Sequence, residues 1–251
     1  LTPGAPVLRR PQTPVGPFAY VNADVSFSNG DAVLKGTLTM PENCTRQTPV
    51  LLMVTGSGLQ NRDEAMFGHK PFAVIADAFA NAGIATLRYD DRGFGESTGD
   101  VVSCTTEDLK NDALAGIGLL RGKFDHVGVL GHSEGGTIAL MLAAEGKADF
   151  VIDLHSGGGY ENLTPHVYFH GSAAPEVCAQ SEHMARYANV KYIVRSWAEN
   201  GLYSYAGQMG VPSILIERGE CGLWSDEEAE ADAADVLNIL RMLGALKDGI
   251  A

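Results

Sequence analysis

A chain of 251 residues, 45% hydrophobic and 20% charged, has enough apolar material for one large α/β domain or two small ones, which excludes a disordered or fibrous protein. Its 18 basic and 31 acidic residues leave a formal charge of -13, which repels nucleic-acid phosphates and anionic membrane surfaces, so neither is an expected partner. No apolar stretch is long enough to span a bilayer. The chain begins at Leu1 without a methionine, the expectation for a mature chain from which any export signal has gone; an exported or periplasmic location fits, and others stay open. The four cysteines, Cys44, Cys104, Cys178 and Cys221, lie far apart with no CxxC pair, which supports neither a thiolate zinc knuckle nor a redox motif. An even count permits disulfides without requiring them.

Residues 1–20 carry prolines at positions 3, 6, 11, 14 and 17, which excludes helix and predicts an extended arm. The alternating runs 23–27 and 33–39, separated by Ser28-Asn29-Gly30-Asp31, predict an antiparallel hairpin. Val50-Leu51-Leu52-Met53-Val54 is continuously apolar and reads as a strand buried on both faces, ending in Thr55-Gly56-Ser57-Gly58. A helix pattern follows Pro71 to about Gly83, then a strand over 84–88 and the loop Tyr89-Asp90-Asp91-Arg92-Gly93-Phe94-Gly95-Glu96-Ser97. Thr105 and Thr106 with Glu107 and Asp108 form a capping signal for a helix running to about Gly122.

Strand pattern 127–130 leads directly into Gly131-His132-Ser133-Glu134-Gly135-Gly136 and then the apolar helix pattern 137–144. A Gly-x-Ser-x-Gly word between strand and helix is the signature of a nucleophile elbow, which exposes a reactive serine. Its glycines serve a strained backbone with no room for a Cβ beside the serine, and the helix start aims N–H groups at a developing oxyanion. The alternative reading is a glycine-rich turn without catalysis. In the second half, strands are predicted at 150–154, 167–169, 190–194 and 213–217. Ser225 with Glu228 caps a final helix, whose apolar stripe is Ala229, Ala233, Val236, Leu237, Leu240 and Leu243. The alternation predicts an α/β fold, a mostly parallel central sheet with helices on both faces and an N-terminal antiparallel hairpin.

The words Arg10-Pro11-Gln12-Thr13-Pro14, Gly36-Thr37-Leu38-Thr39, Thr55-Gly56-Ser57-Gly58-Leu59-Gln60-Asn61-Arg62-Asp63-Glu64, His69-Lys70-Pro71-Phe72, Arg88-Tyr89-Asp90-Asp91-Arg92-Gly93 and Gly131-His132-Ser133-Glu134-Gly135-Gly136 are shared with known hydrolases. Over residues 10–152 the chain resembles a bacterial branch of the α/β-hydrolases, the serine esterase and peptidase-like proteins. The resemblance implies that Ser133 is the nucleophile, with oxyanion donors from the N–H of Glu134 and from the Ser57-Gly58 turn. Asp90, Asp91 and Arg92 read as a cluster that ties its loop together by ion pairs.

From about residue 149 a different resemblance begins. Asp153-Leu154-His155-Ser156-Gly157-Gly158, Gly210-Val211-Pro212-Ser213-Ile214-Leu215-Ile216-Glu217 and Asp226-Glu227-Glu228 are similar to the C-terminal part of the succinylglutamate desuccinylase and aspartoacylase branch of the zinc carboxypeptidase family. That likeness implies His155 as a zinc ligand and Glu217 as general base. The family's upstream His-x-x-Glu pair is missing: His69, His126 and His132 each have another residue at the third position. A catalytic zinc needs three protein ligands, so the expectation is no cofactor, with zinc as the alternative.

The chain thus reads as a fusion or chimera: a proline-rich arm (1–20), an α/β-hydrolase-like core (21–148) and a C-terminal α/β segment (149–251) that is able to complete the same sheet. An α/β-hydrolase triad runs Ser, then Asp or Glu, then His, yet the last histidine here is His183, before the final strand, and Ala174 stands where the acid is expected. The remaining base candidates are His155, His166, His170 and His183. His155 is favoured because its strand follows the nucleophile's helix and, in the superfamily's order, lies beside the nucleophile strand. The function expected is a serine hydrolase acting on a carboxylic ester or related acyl bond of a small substrate. The alternatives are a zinc-dependent deacylase and a catalytically incomplete binding or scaffold protein.

Overall fold

A computed structural model of the chain describes residues 13–66, 68–221 and 225–245. The chain divides into two units, Leu1–Ala139 and Leu140–Ile250. The part of the expected arm over residues 1–12 lies outside the described residues, and residues 13–19 hold no regular element.

In the first unit the hairpin forms as its alternation predicts, β1 (Tyr20–Asn29) against β2 (Ala32–Pro41), with Asn29 opposite Ala32. Between them Gly30 takes a φ of 58°, which a residue with a Cβ adopts at a cost. β3 (Val50–Val54) and β4 (Ala85–Tyr89) carry the central apolar runs, and Val50, Leu52, Met53 and Leu87 are fully buried. Burying side chains of this size contributes about 2 kcal/mol each before conformational entropy is counted. With β5 (Val127–Gly131) the strand order is β1-β2-β4-β3-β5; β3 runs parallel to both β4 and β5, and β2 antiparallel to β4.

Helix α1 (Pro71–Asn81) begins with proline at its first turn, where a missing N–H costs nothing, and buries Phe72, Ala76 and Ala80 along one stripe. Met53 and Leu130 pack against this face, with Ile75 of the same helix alongside. Helix α2 (Thr106–Arg121) starts with the expected capping box: the Thr105 hydroxyl accepts from the Asp108 N–H, and the Thr105 N–H donates to the Asp108 carboxylate. Helix α3 (Glu134–Ala144) follows β5 after a two-residue turn.

The second unit holds β6 (Val151–Ser156), β7 (His166–His170), α4 (Pro175–Ala185), β8 (Tyr192–Ser196), α5 (Leu202–Gln208), β9 (Ser213–Arg218) and α6 (Asp226–Met242). Its strand order is β6-β9-β7-β8, with β9 parallel to β6 and antiparallel to β7. The expected α/β fold of mostly parallel strands is met, with a mixed sheet in each unit: β3–β4, β3–β5, β6–β9 and β7–β8 pair in parallel, β1–β2, β2–β4 and β7–β9 antiparallel. β9 takes the central place because Ser213–Arg218 is the most thoroughly buried strand of the unit and accommodates a partner on each edge.

The last helix differs from its predicted stripe. Ser225 caps it by accepting the Glu228 N–H at 3.2 Å, but Ala229 and Ala233 are exposed and Asp235 is fully buried beside Ile239 and Leu240. The cause is Arg218 at the end of β9, buried and ion-paired with Asp235, with Glu228 and Asp232 on the same helix at 3.9 and 3.4 Å. A buried guanidinium needs counter-charges, and this turns an acidic face of α6 inward. β8 lies at an edge of the sheet and is exposed on both faces, with Lys191 over the ring of Tyr192 and Arg195 over that of Trp197. All four cysteines are free.

Candidate active site

Ser133 sits between β5 and α3 with a φ of 53°, in the left-handed region that a residue with a Cβ rarely adopts. The turn is held by backbone hydrogen bonds: the His132 N–H donates to the Val54 carbonyl at 3.1 Å, and the Gly135 and Gly136 N–H groups donate to the carbonyls of His132 and Ser133, each at 2.9 Å. A Cβ on Gly131 would overlap the Gly135 backbone, and one on Gly135 would overlap the carbonyls of Val54 and Thr55. Both glycines are therefore steric requirements of this strand-turn-helix, the reason the sequence word has glycine two residues before and two after the serine. The serine is exposed. Glu134, first residue of α3, accepts a hydrogen bond at 2.7 Å from the Thr106 hydroxyl at the start of α2. Among the described residues, the hydrogen bonds of the turn do not engage the Glu134 N–H, which leaves the positive end of the helix beside Ser133.

Beyond the end of β3 lies the turn Thr55-Gly56-Ser57-Gly58, in which Gly58 has a φ of 91° and Ser57 and Gly58 are exposed. A Cβ placed on Gly56 would lie 3.3 Å from Ser133 Cβ, so this turn passes directly against the serine. Carboxylates anchor it from beneath. Asp91 accepts the Thr55 hydroxyl at 2.7 Å and the Gln60 N–H at 2.8 Å. Glu64, 2% exposed and at a φ of 51°, accepts the Gly56 N–H at 2.7 Å. The same Glu64 oxygen faces His132 Nδ1 at 2.8 Å.

The expected ion-pair role of the Asp90-Asp91-Arg92 loop is met by two of the three. Asp90 pairs with Arg62, whose main-chain N–H also donates to it at 2.7 Å; burial would raise its carboxyl, but these bonds hold it below the usual range. Arg92 makes a two-pronged contact with buried Asp112 at 2.8 and 2.6 Å. Among the described residues no cation pairs with Asp91, and burial pushes its carboxyl up to about 6. In the sequence Glu64 is one acid in a polar turn, and its burial becomes visible only when β3 and β5 lie side by side.

In the second unit, His155 and Glu217 are direct cross-strand partners on β6 and β9. His155 Nε2 is 3.2 Å from Asp153 and its Nδ1 is 3.9 Å from Glu217, with the ring about half exposed. Burial raises the carboxyls of both Asp153 and Glu217. His166, on β7, faces Glu217 from the other side in register, its Nδ1 against the Thr164 carbonyl at 2.8 Å. His170 is fully buried and held below its usual pKa by that burial, while His183 stacks on Tyr187. Among the described residues no group of three or more His, Cys, Asp or Glu side chains is gathered so as to hold a metal ion. No helix among them is long and apolar enough to cross a membrane.

Two family models match different parts of the chain. Residues 70–155 match the hydrolase family of serine aminopeptidase S33, and residues 129–243 match the succinylglutamate desuccinylase/aspartoacylase catalytic domain. Both resemblances read from the sequence are therefore met. Over 140 residues the chain is 32% identical to Esterase EstD of Thermotoga maritima, a match covering 55% of this chain and 33% of the esterase. The chain thus spans about a third of the length of that curated relative. Among solved structures, it is similar to the Pyrococcus furiosus esterase Pf2001 with a TM-score of 0.55 at 13% identity, covering 89% of this chain and 93% of that one. It is also similar to Est1E of Butyrivibrio proteoclasticus, a structure with ferulic acid bound, with a TM-score of 0.51 at 15% identity and coverage of 86% and 99%. At such identities the likeness is one of fold, and the fold is the α/β fold of hydrolases.

Proposed function

We propose that the chain is a serine hydrolase that cleaves a carboxylic ester or related acyl bond of a small substrate, with Ser133 as nucleophile. The observation that carries this reading is Ser133 at a φ of 53° between β5 and α3, exposed, with glycines on both sides that admit no side chain. Strain of this kind persists where the surrounding structure imposes it, and it clusters at reactive residues. The partial likeness to an esterase and to the serine aminopeptidase family supports the same reading.

In this proposal Ser133 Oγ attacks the carbonyl carbon, its proton passes to a general base, and the carbonyl oxygen becomes an oxyanion. The N–H groups of Glu134 and of the Ser57-Gly58 turn receive that oxyanion, each donor stabilising the transition state by about 3 kcal/mol. Collapse expels the alcohol and leaves an acyl-serine, which water then cleaves. A fluorophosphonate probe tests the assignment, with the adduct located by peptide mass spectrometry. Labelling at Ser133, and its loss with ester turnover in Ser133→Ala, is the expected outcome. A folded protein that takes up no probe would favour a binding or scaffold role instead.

The zinc-dependent alternative draws on the second family match and on His155 facing Glu217. Among the described residues its donor set falls short of the three protein ligands a catalytic zinc takes. Ester turnover that survives a strong chelator is the outcome expected.

A further inference from the structure

Two loops meet at Ser133, and a single oxygen atom joins them. Glu64 Oε1 accepts the Gly56 N–H at 2.7 Å and faces His132 Nδ1 at 2.8 Å, so it bridges the turn after β3 to the residue immediately before the serine. The bridge is built at a conformational cost. Glu64 has a φ of 51°, imposed by Asn61, whose carbonyl accepts the Glu64 N–H at 2.8 Å and whose side chain accepts the Asp63 and Ala65 N–H groups at 3.1 Å each. A non-glycine residue in that region costs on the order of 1 kcal/mol or more.

The chemistry of the bridge is directional. A carboxylate oxygen only accepts, so His132 must carry a proton on Nδ1, which fixes its tautomer and the orientation of its ring. The Gly56 N–H is consumed by Glu64, which fixes the plane of the Thr55-Gly56 peptide. The next N–H along, that of Ser57, is a proposed oxyanion donor. Around the Gly56 Cα the packing is saturated: a Cβ there would lie 3.0 Å from His132 Nδ1, 3.2 Å from Glu64 Oε1 and 3.3 Å from Ser133 Cβ. A small movement of the Glu64 oxygen therefore transmits to both the serine and the donor turn.

From this geometry we infer that Glu64 is a positioning residue for the serine chemistry, setting the separation between Ser133 and the Ser57 N–H through hydrogen bonds to Gly56 and His132. The inference rests on the proposal that Ser133 is the nucleophile. Glu64 touches no reacting atom and acts through the two loops it ties. What matters is the placement of one acceptor oxygen rather than the charge it carries.

Three substitutions separate these possibilities. Glu64→Gln keeps an oxygen in place, Glu64→Asp withdraws it by one methylene, and Glu64→Ala removes it. With the intact chain and a short-chain p-nitrophenyl ester, kcat is expected to stay within about fivefold of wild type in Glu64→Gln. It should fall roughly tenfold in Glu64→Asp and roughly 100-fold in Glu64→Ala, the loss that follows when one oxyanion donor is misplaced. KM should change less than about twofold throughout, since substrate binding is not what the bridge controls. The rate of fluorophosphonate labelling at Ser133 should follow the same order, and far-UV circular dichroism reports whether each variant is folded. If Glu64→Ala does not fold, the Gln and Asp variants decide alone. Labelling of Glu64→Asp at the wild-type rate, or a loss in Glu64→Gln as deep as in Glu64→Asp, overturns the inference and leaves the Ser133 assignment standing. A wild-type protein that takes no label overturns both.

Discussion

Asp91 lends itself to a quantitative test because its carboxyl is buried, has two hydrogen-bond donors and, among the described residues, pairs with no cation. It is 8% exposed and accepts from the Thr55 hydroxyl and the Gln60 N–H, while Asp90 and Glu64 press on it with like charge. Burial, the largest influence, pushes the group from 3.8 up to about 6. Because the folded state holds this proton more tightly than the unfolded chain, the group's stabilisation is fully present below pH 4 and is lost as pH rises through about 6. An interval of roughly two pH units at about 1.4 kcal/mol each amounts to a loss of about 3 kcal/mol by pH 8. Asp91→Asn carries no charge at any pH and escapes this loss, although its amide accepts only one of the two donors, at a cost of about 1 kcal/mol. Wild type should therefore be the more stable protein at pH 4 by about 1 kcal/mol, and the variant at pH 8 by about 2 kcal/mol. Urea unfolding of both proteins across this range, followed by circular dichroism, gives the difference directly. A difference that does not change with pH would refute the argument, because every other titrating group away from the site cancels between the two proteins.

Strain at the serine predicts an asymmetry between two variants. Ser133→Gly relieves a left-handed conformation that Ser133→Ala retains, so the glycine variant should be the more stable by about 1 kcal/mol, read as a higher Tm, with neither taking label. Asp112→Ala leaves the Arg92 guanidinium, 8% exposed at its side chain, without its carboxylate, and a loss of about 3 to 5 kcal/mol in urea unfolding is expected.

How much the sequence discloses depends on the range of the force involved. The capping box at Thr105 and Asp108, the run Val50–Val54 and the spacing of Gly131, Ser133 and Gly135 act over a few residues, and each is legible before any coordinates exist. The partner of β6 is not legible, because an apolar strand bonds equally well to any apolar edge and tertiary packing makes the choice. The α6 stripe is misread for a related reason: Arg218 outbids two alanines for the inward face, and no local pattern on the helix announces an arginine on a distant strand. Glu64 escapes notice because its importance lies in what lies above it, Gly56 and His132, 8 and 68 residues away in sequence.

Edge strand β8 has a consequence for solution behaviour. Its outer row of peptide groups is a template on which a foreign strand could add, and Tyr192, Ile193 and Trp197 would make such an encounter adhesive. Lys191 and Arg195, lying over the flanking aromatic rings, put positive charge on the stickiest part of the rim. An incoming strand would have to strip these cations of water before it could pair. In a protein of net charge -13, two cations at this rim act as local gatekeepers against aggregation, a protection the overall charge alone does not localise.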